Sequence, residues 1–466
     1  MEKERLKDRS AELRSENVGK LMIRLAVPTV TAQVVNMLYN IVDRIYIGHM
    51  PQVGSDALTG VGLCFPILTL ISAFASLLCA GGAPRAAIRM GQQENRAAEK
   101  IMGNCFGMLI AASVLLTVLF QIFAGPLLVL FGASDATLPY ALSYMRYYLM
   151  GTVFVMISLG LNMFIMSQGF AGTSMLTTLI GAVLNIILDP IFIFVFDMGV
   201  PGAAVATVIS QAVSAVWVLI FLMGKTTKLR LKKQDTKPDG SVLLPCLALG
   251  LSPFVMQSTE SLLSICFNAS LAKYGGDMAV GAMTIITSTA QLMSMPTTGI
   301  CQGGQPIISY NFGAGNVERV KKAFRCQFIA CVTYAFLFFL AAMFLPHLLA
   351  GVFTGDSELV DYTVHYMRVY SAGIFILGVQ FSCQQAFMAL GQAKISLVLA
   401  CLRKLILLIP LIFLLPHLLS DRVFAVFLAE PVSDITAGIV TGIMFFSRLP
   451  GILRRGPGGM TEESGE

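Results

Sequence analysis

The chain of 466 residues is 56% hydrophobic and only 12% charged, with a mean hydropathy of +0.76. Soluble domains carry about 25% charged residues, so the composition excludes a soluble globular fold and indicates a polytopic membrane protein. Continuous apolar segments, without strict alternation, exclude a transmembrane barrel. At about 30 to 40 residues per span and connection, the length predicts a bundle of about a dozen helices.

Met1 to Lys20 is polar and charged, with no apolar h-region. It reads as a cytoplasmic arm and not as a cleaved signal peptide. Apolar windows then predict spans near 21–47, 57–83, 101–124, 139–167, 172–197, 201–223, 245–271, 279–305, 323–345, 359–389, 394–419 and 422–447. Connections on one side hold nearly all the loop Lys and Arg: Arg85 to Lys100, Lys225 to Lys237, Arg319 to Arg325, and a tail with Arg448, Arg454 and Arg455. The opposite connections hold chiefly Lys273 and Arg422, beside Asp56, Asp135, Asp356 and Glu358. The positive-inside rule then places both termini in the cytoplasm. The net charge of +6 reports topology and requires no nucleic-acid partner.

Lys225 to Gly240 carries six basic residues near the middle of the chain and reads as a cytoplasmic linker between two halves. Shifting the sequence by 222 residues aligns Tyr140, Tyr144, Met145, Arg146, Tyr148, Gly151, Met166 and Gly169 with Tyr362, Tyr366, Met367, Arg368, Tyr370, Gly373, Met388 and Gly391. The same shift aligns Cys79, Gly81, Gly82 and Pro84 with Cys301, Gly303, Gly304 and Pro306. With six spans each, the halves enter the membrane from the same side and form parallel repeats. The expected fold is therefore all-α, with twelve transmembrane helices in two parallel six-helix lobes around a central cavity. The expected divisions are an arm over 1–20, a lobe over 21–224, a linker over 225–243, a lobe over 244–448 and a tail over 449–466.

The first span places Gln33, Asn36, Asn40 and Asp43 along one helix face by spacings of 3, 4 and 3. The fifth carries Asn185 and Asp189 one turn apart, followed by Pro190. A carboxylate at that depth costs at least ~2.5 kcal/mol unless paired, protonated or bound to a cation, which marks a transport or relay site. Asp189 also has the sequence look of an N-cap for a half-helix restarting at Pro190. The sixth span offers Thr207, Ser210, Gln211 and Ser214 on one face, where helix-to-helix hydrogen bonding is the simpler role for the hydroxyls. Asp43, Asp189 and Thr207 lie at matching depth, and their oxygen donors suit either H⁺ or Na⁺.

The second half does not copy this set, since Asp189 aligns with Leu411 and Asn185 with Leu407. Its own acids are Glu260, near Gln257, Ser264 and Asn268, and Glu430 and Asp434 in the last span. Glu430 before Pro431 again resembles a cap, and Asp434 is placed to pair with Arg403 or Lys404. Arg146 and Arg368 beside tyrosines fit snorkelling into an aromatic belt. The Gly-Gly-x-Pro segments at 81–84 and 303–306 fit helix kinking and close approach. Ten cysteines without paired spacing read as small core hydrophobes. An integral-membrane enzyme lacks a catalytic cluster, because His49, His347, His365 and His417 all fall near predicted outer ends without metal spacing.

The segments Val42-Asp43-Arg44-Ile45-Tyr46-Ile47-Gly48-His49, Asn185-x-x-x-Asp189-Pro190 and Pro201-Gly-Ala-Ala-Val-Ala-Thr207 together resemble the multidrug and toxic compound extrusion (MATE) family, over essentially all twelve spans. The resemblance implies a secondary antiporter of the plasma (inner) membrane that exports organic cations against inward H⁺ or Na⁺. It implies no enzymatic cofactor and function as a monomer. Carried over residue by residue, it assigns ion coupling to Asp43, Asn185, Asp189 and Thr207, and Glu260 resembles an acid that some branches hold in span seven. From their places on the helices, Gln33, Asn36, Asn40, Glu260 and Gln384 are the candidate substrate or proton-relay residues. Branches with an acid at the Glu260 position tend to hold another in span ten, where this chain offers only Asp361 at the mouth, with Gln380, Gln384 and Gln385 deeper. The alternative within the same superfamily is a flippase for lipid-linked precursors, which would need a strongly cationic cavity.

Overall fold

A computed structural model describes residues 9–50, 53–225 and 227–460. Residues 1–8 of the expected arm and 461–466 of the expected tail lie outside the described residues. Among the described residues every regular element is helical. After the short α1 (Arg9–Ser15), the first half runs α2 (Val18–Gly48), α3 (Gly54–Gly91), α4 (Asn95–Leu130), α5 (Leu138–Met150), α6 (Thr152–Ser167), α7 (Ala171–Pro190) and α8 (Val200–Met223). The second half runs α9 (Gly240–Gly313), α10 (Val317–Phe344), α11 (Pro346–Gly351), α12 (Ser357–Ser371), α13 (Ile374–Ala389), α14 (Ala393–Cys401), α15 (Ile409–Leu418) and α16 (Arg422–Arg455).

The number of crossings follows from lengths and breaks. Among the described residues, nine helices are long and apolar enough to cross a bilayer on their own. Two bent pairs, α5 with α6 at 59° and α12 with α13 at 47°, each supply one more crossing. The 74 residues of α9 would span roughly 110 Å at 1.5 Å per residue, far more than one bilayer. It breaks at Gly276, where φ 63° and ψ −160° take the backbone out of the helix in a conformation that only glycine adopts without strain. Counted twice for that break, α9 brings the total to the twelve expected from the apolar windows. Large apolar side chains face outward, as lipid contact requires, with Leu115, Ile122, Ile220 and Ile443 all exposed.

The chain packs as two compact units. One comprises the residues through Glu16 together with Thr31–Gly250, and the other comprises Asn17–Val30 together with Leu251 onward. The unit boundaries thus differ from the expected lobes at 21–30 and at 244–250. Glycine explains both differences locally. In the first unit, a Cβ on Gly81 would collide with the carbonyl of Cys246, and one on Gly250 with the carbonyl of Leu77. In the second, a Cβ on Gly303 would lie 2.6 Å from Ala26 Cα and one on Gly299 2.7 Å from Val30 Cα. Thr29 Oγ1 donates to Gly299 O at 2.7 Å across the same contact. The Gly-Gly-x-Pro segments therefore serve close backbone approach, and α3 continues through Pro84 to Gly91.

Two spans carry π-helical stretches, Ile191–Val195 after α7 and Leu402–Leu408 between α14 and α15. The first corrects the capping expectation for Asp189. Helix α7 passes through Asp189 and Pro190, no side chain caps the following stretch, and the Asp189 carboxylate is engaged elsewhere. Pro190 has no N–H to give the preceding turn, and the chain absorbs that loss by widening. Glu430 is not a cap either, because α16 runs unbroken past Pro431 and the Glu430 side chain turns to Arg403.

The central linker is tied down to the first unit. Arg96 donates from both terminal nitrogens to Asp235 at 2.5 and 2.6 Å, a bidentate fork. Lys232 reaches Glu99 at 2.5 Å, Lys100 reaches Asp239 at 2.6 Å, and Asn104 bridges Asp235 O and the Asp239 amide. The Lys100 ammonium, followed by the Ser241 hydroxyl and amide, lowers the Asp239 pKa from 3.8 to about 2. The linker's positive charge is thus partly spent on contacts within its own unit.

Candidate functional site

Three helices of the first unit converge on one polar cluster. Asn185 stands one turn before Asp189 on α7, and its Nδ2 donates to Asp189 Oδ1 at 3.0 Å. The same amide lies 3.3 Å from Thr207 Oγ1 on α8, while Thr207 donates its hydroxyl to Ala203 O at 3.0 Å. The reversal between the two helices is tight, with Asp197 at φ 51° and Gly199 at φ 58°. It brings Thr207 back beside Asn185. The carboxyl of Asp43, on α2, lies near enough to that of Asp189 for the two to interact electrostatically. Asn185 and Asp189 are fully buried and Thr207 nearly so, whereas Asp43 is partly open.

The oxygens left over define what the cluster can hold. Asp43 Oδ1, Asn185 Oδ1 and Asp189 Oδ2 are buried without a hydrogen-bond partner. Two neighbouring carboxylates repel unless a proton or a cation lies between them. Three orphan oxygens from carboxylate and amide groups form a hard donor set, suited to a proton or Na⁺ and unsuited to a soft metal. Among the described residues no group of three or more His, Cys, Asp and Glu is arranged to hold a metal ion, so a cation here would rely on the amide and hydroxyl oxygens as well.

The other polar residues singled out by sequence divide by location. Asn40 donates back to Asn36 O at 2.6 Å on the open face of α2, and Gln33 and Asn36 are partly buried on the same helix. On α8, Ser214 donates to Thr177 O of α7 at 3.2 Å, the helix-gluing role expected for hydroxyls, whereas Ser210 donates to Ala206 O within its own helix. Gln384, Glu260, Arg403, Lys404, Glu430 and Asp434 belong to the second unit. Gln384 is buried, with its amide on Ser252 Oγ and Met256 Sδ. Glu260 pairs with Lys404 Nζ, and Arg403 Nε donates to Asp434 at 2.7 Å.

Sequence reasoning missed the tyrosines. Tyr39 on α2 sits within the field of both Asp43 and Asp189, and Tyr144 on α5 within that of Asp43. Tyr144 and Tyr148 are buried and stacked at 6.0 Å, while Arg146 and Tyr147 point outward as a belt requires. The spacing held the signal: in a helix, residues four apart share a face that residues two apart do not. The same alternation recurs at Tyr366, Arg368 and Tyr370, so the repeat preserves burial as well as identity.

A family model described as MatE matches residues 28–191 and 253–414. The chain is 25% identical over 430 residues to the multidrug export protein MepA of Staphylococcus aureus (strain NCTC 8325 / PS 47), covering 92% of this chain and 94% of MepA. The MepA of Staphylococcus saprophyticus is likewise 25% identical over 432 residues, covering 92% and 94%. Among solved structures, an outward-facing conformation of a multidrug resistance MATE family transporter of the MOP superfamily superposes with a TM-score of 0.89 at 23% identity, covering 96% of this chain and 98% of that one. A MATE in complex with MaL6 gives 0.88 at 23% identity, covering 96% and 99%. A MOP superfamily transporter from Pyrococcus furiosus, described as having a binding pocket of reverse polarity, gives 0.88 at 22% identity, covering 95% and 98%. With its family segments falling in both halves of a twelve-span helical fold, the chain belongs to the MATE family of membrane transporters.

Proposed function

We propose that this protein is a secondary active antiporter of the plasma membrane, with both termini cytoplasmic, exporting organic cations in exchange for inward H⁺ or Na⁺ by alternating access. The observation that carries the reading is the buried cluster of Asp43, Asn185, Asp189 and Thr207, with its three unpartnered oxygens. An uncompensated acid pair at membrane depth is retained at a cost that transport of a cation justifies. Coupling requires that ion and substrate each disfavour the other's bound state, and that effect is reciprocal. The curated relatives are multidrug export proteins by name, which supports drug-like substrates. The lipid-precursor alternative loses support because Arg403 and Lys404, the deep basic pair, are both taken by carboxylates.

Purified protein in proteoliposomes tests this reading. An imposed Na⁺ or H⁺ gradient should drive movement of a fluorescent organic cation. Gradient-independent behaviour together with scrambling of a labelled lipid-linked precursor would contradict it.

A further inference from the structure

The second unit holds five charged side chains in one network. Lys404 Nζ pairs with Glu260 on α9 and also donates to Met256 O at 3.2 Å. Its neighbour Arg403 bonds Asp434 through Nε at 2.7 Å and Glu430 through an Nη at 3.4 Å, both on α16. Two consecutive residues of an α-helix point 100° apart, yet both of these are buried. The π stretch Leu402–Leu408 accommodates that, and Ser433 Oγ donates to Arg403 O at 2.8 Å where the ladder is disturbed. Formally, three carboxylates face two cations, so the network is one positive charge short.

The Glu260 pair is lopsided. The Lys404 side chain is 5% exposed and that of Glu260 is 63% exposed. Glu260 shares an open face of α9 with Ser264 and Asn268, and Gln257 lies one turn away. A polar face with an exposed carboxylate inside a span borders water and not hydrocarbon. A mobile cation can therefore reach Glu260 from its open side, while Lys404 approaches from the buried side. A tethered primary ammonium matches a protonated amine drug in charge and N–H donors, and a quaternary drug in charge alone.

We propose that Lys404 is a tethered occupant of a cation-recognition site at Glu260, which an organic monocation enters by displacing the lysine ammonium. This rests on the organic-cation reading above. The displaced ammonium has a destination, because Glu430 and Asp434 lie within its electrostatic reach and together outnumber Arg403. A self-occupied site also lowers apparent affinity by the fraction of time it stands free, a cost that removal of the lysine abolishes.

The test is equilibrium binding of ethidium to the purified full-length protein, followed by fluorescence titration, with transport in proteoliposomes measured in parallel. Lys404→Met should tighten ethidium binding by on the order of tenfold or more. Lys404→Arg, which retains the pairing, should bind as wild type does. Glu260→Gln should weaken binding, and adding Lys404→Met to Glu260→Gln should restore nothing. Lys404→Met leaves Glu260 on a water-facing surface, so folding is expected to persist, and Lys404→Gln provides a second variant. If wild type moves ethidium but both lysine variants bind it no more tightly, the inference is overturned while the antiporter reading stands. If wild type moves no organic cation, the antiporter reading fails, and the inference fails with it.

Discussion

Asn185 on α7 and Thr207 on α8 are 22 residues apart in sequence, yet one amide nitrogen of Asn185 lies 3.3 Å from the Thr207 hydroxyl and 3.0 Å from Asp189 Oδ1. That nitrogen fixes the orientation of the amide, so Asn185 Oδ1 is left without a partner beside Asp189 Oδ2 and Asp43 Oδ1. Asn185→Leu would remove the bridge and strand the Asp189 carboxylate, and losing a buried partner costs about 1–3 kcal/mol. The expected outcome is a folded protein with impaired coupled transport and a lower thermal midpoint. Transport equal to wild type would show that the amide does not orient the site.

The ion network of the second unit makes a contrasting prediction. Arg403 holds Glu430 and Asp434 together in a buried setting. Removing one partner of such a pair leaves uncompensated charge and costs about 3–5 kcal/mol. Arg403→Met alone should therefore reduce thermal stability sharply, and combining it with Glu430→Gln and Asp434→Asn should recover most of the loss. Equal stability of single and triple variants would contradict the pairing.

Close backbone approach predicts intolerance at two symmetric positions. Alanine at Gly81 meets the Cys246 carbonyl, and alanine at Gly303 meets Ala26. Overpacking typically costs about 1–3 kcal/mol, and a backbone neighbour has less room to give than a side chain. Gly81→Ala and Gly303→Ala should each lower the thermal midpoint, whereas Gly62→Ala, which meets nothing within 4 Å, should not.

The linker predicts an acid-sensitive tether. The Asp239 carboxylate, held by Lys100 and Ser241, titrates at about 2 in the fold against an ordinary 3.8. A lowered carboxylate pKa contributes stability that is complete above the ordinary value and is lost as pH falls through the lowered one. Hydrogen-exchange protection over residues 236–242, taken relative to the intrinsic rate at each pH, should therefore fall between about pH 4 and pH 2. Asp239→Asn should show lower protection already at neutral pH and little further loss on acidification.

Much of the fold was legible because hydrophobic length and loop charge are local signals. The twelve windows and the 222-residue repeat needed no tertiary information. The membership of 21–30 and 244–250 in the two units was not legible, since it depends on which distant backbone lies against Gly81 and Gly303. At the site, Asp43, Asn185, Asp189 and Thr207 were readable as costly polar groups at equal depth. The tyrosines at 39 and 144 were not read, because an aromatic near a span end looks like a belt residue until its face is known. The π stretches also escaped. Pro190 and Pro410, each beside its π stretch, announced a disturbance but not its form.

The central claim is that the Asp43 and Asp189 pair couples ion entry to export. Its most direct test is gradient-driven transport of an organic cation by Asp189→Asn in proteoliposomes, with size-exclusion profile and thermal midpoint confirming the fold. The account predicts that substrate binding survives while gradient-driven movement is abolished. Gradient-driven transport at the wild-type rate in the folded Asp189→Asn protein would contradict it.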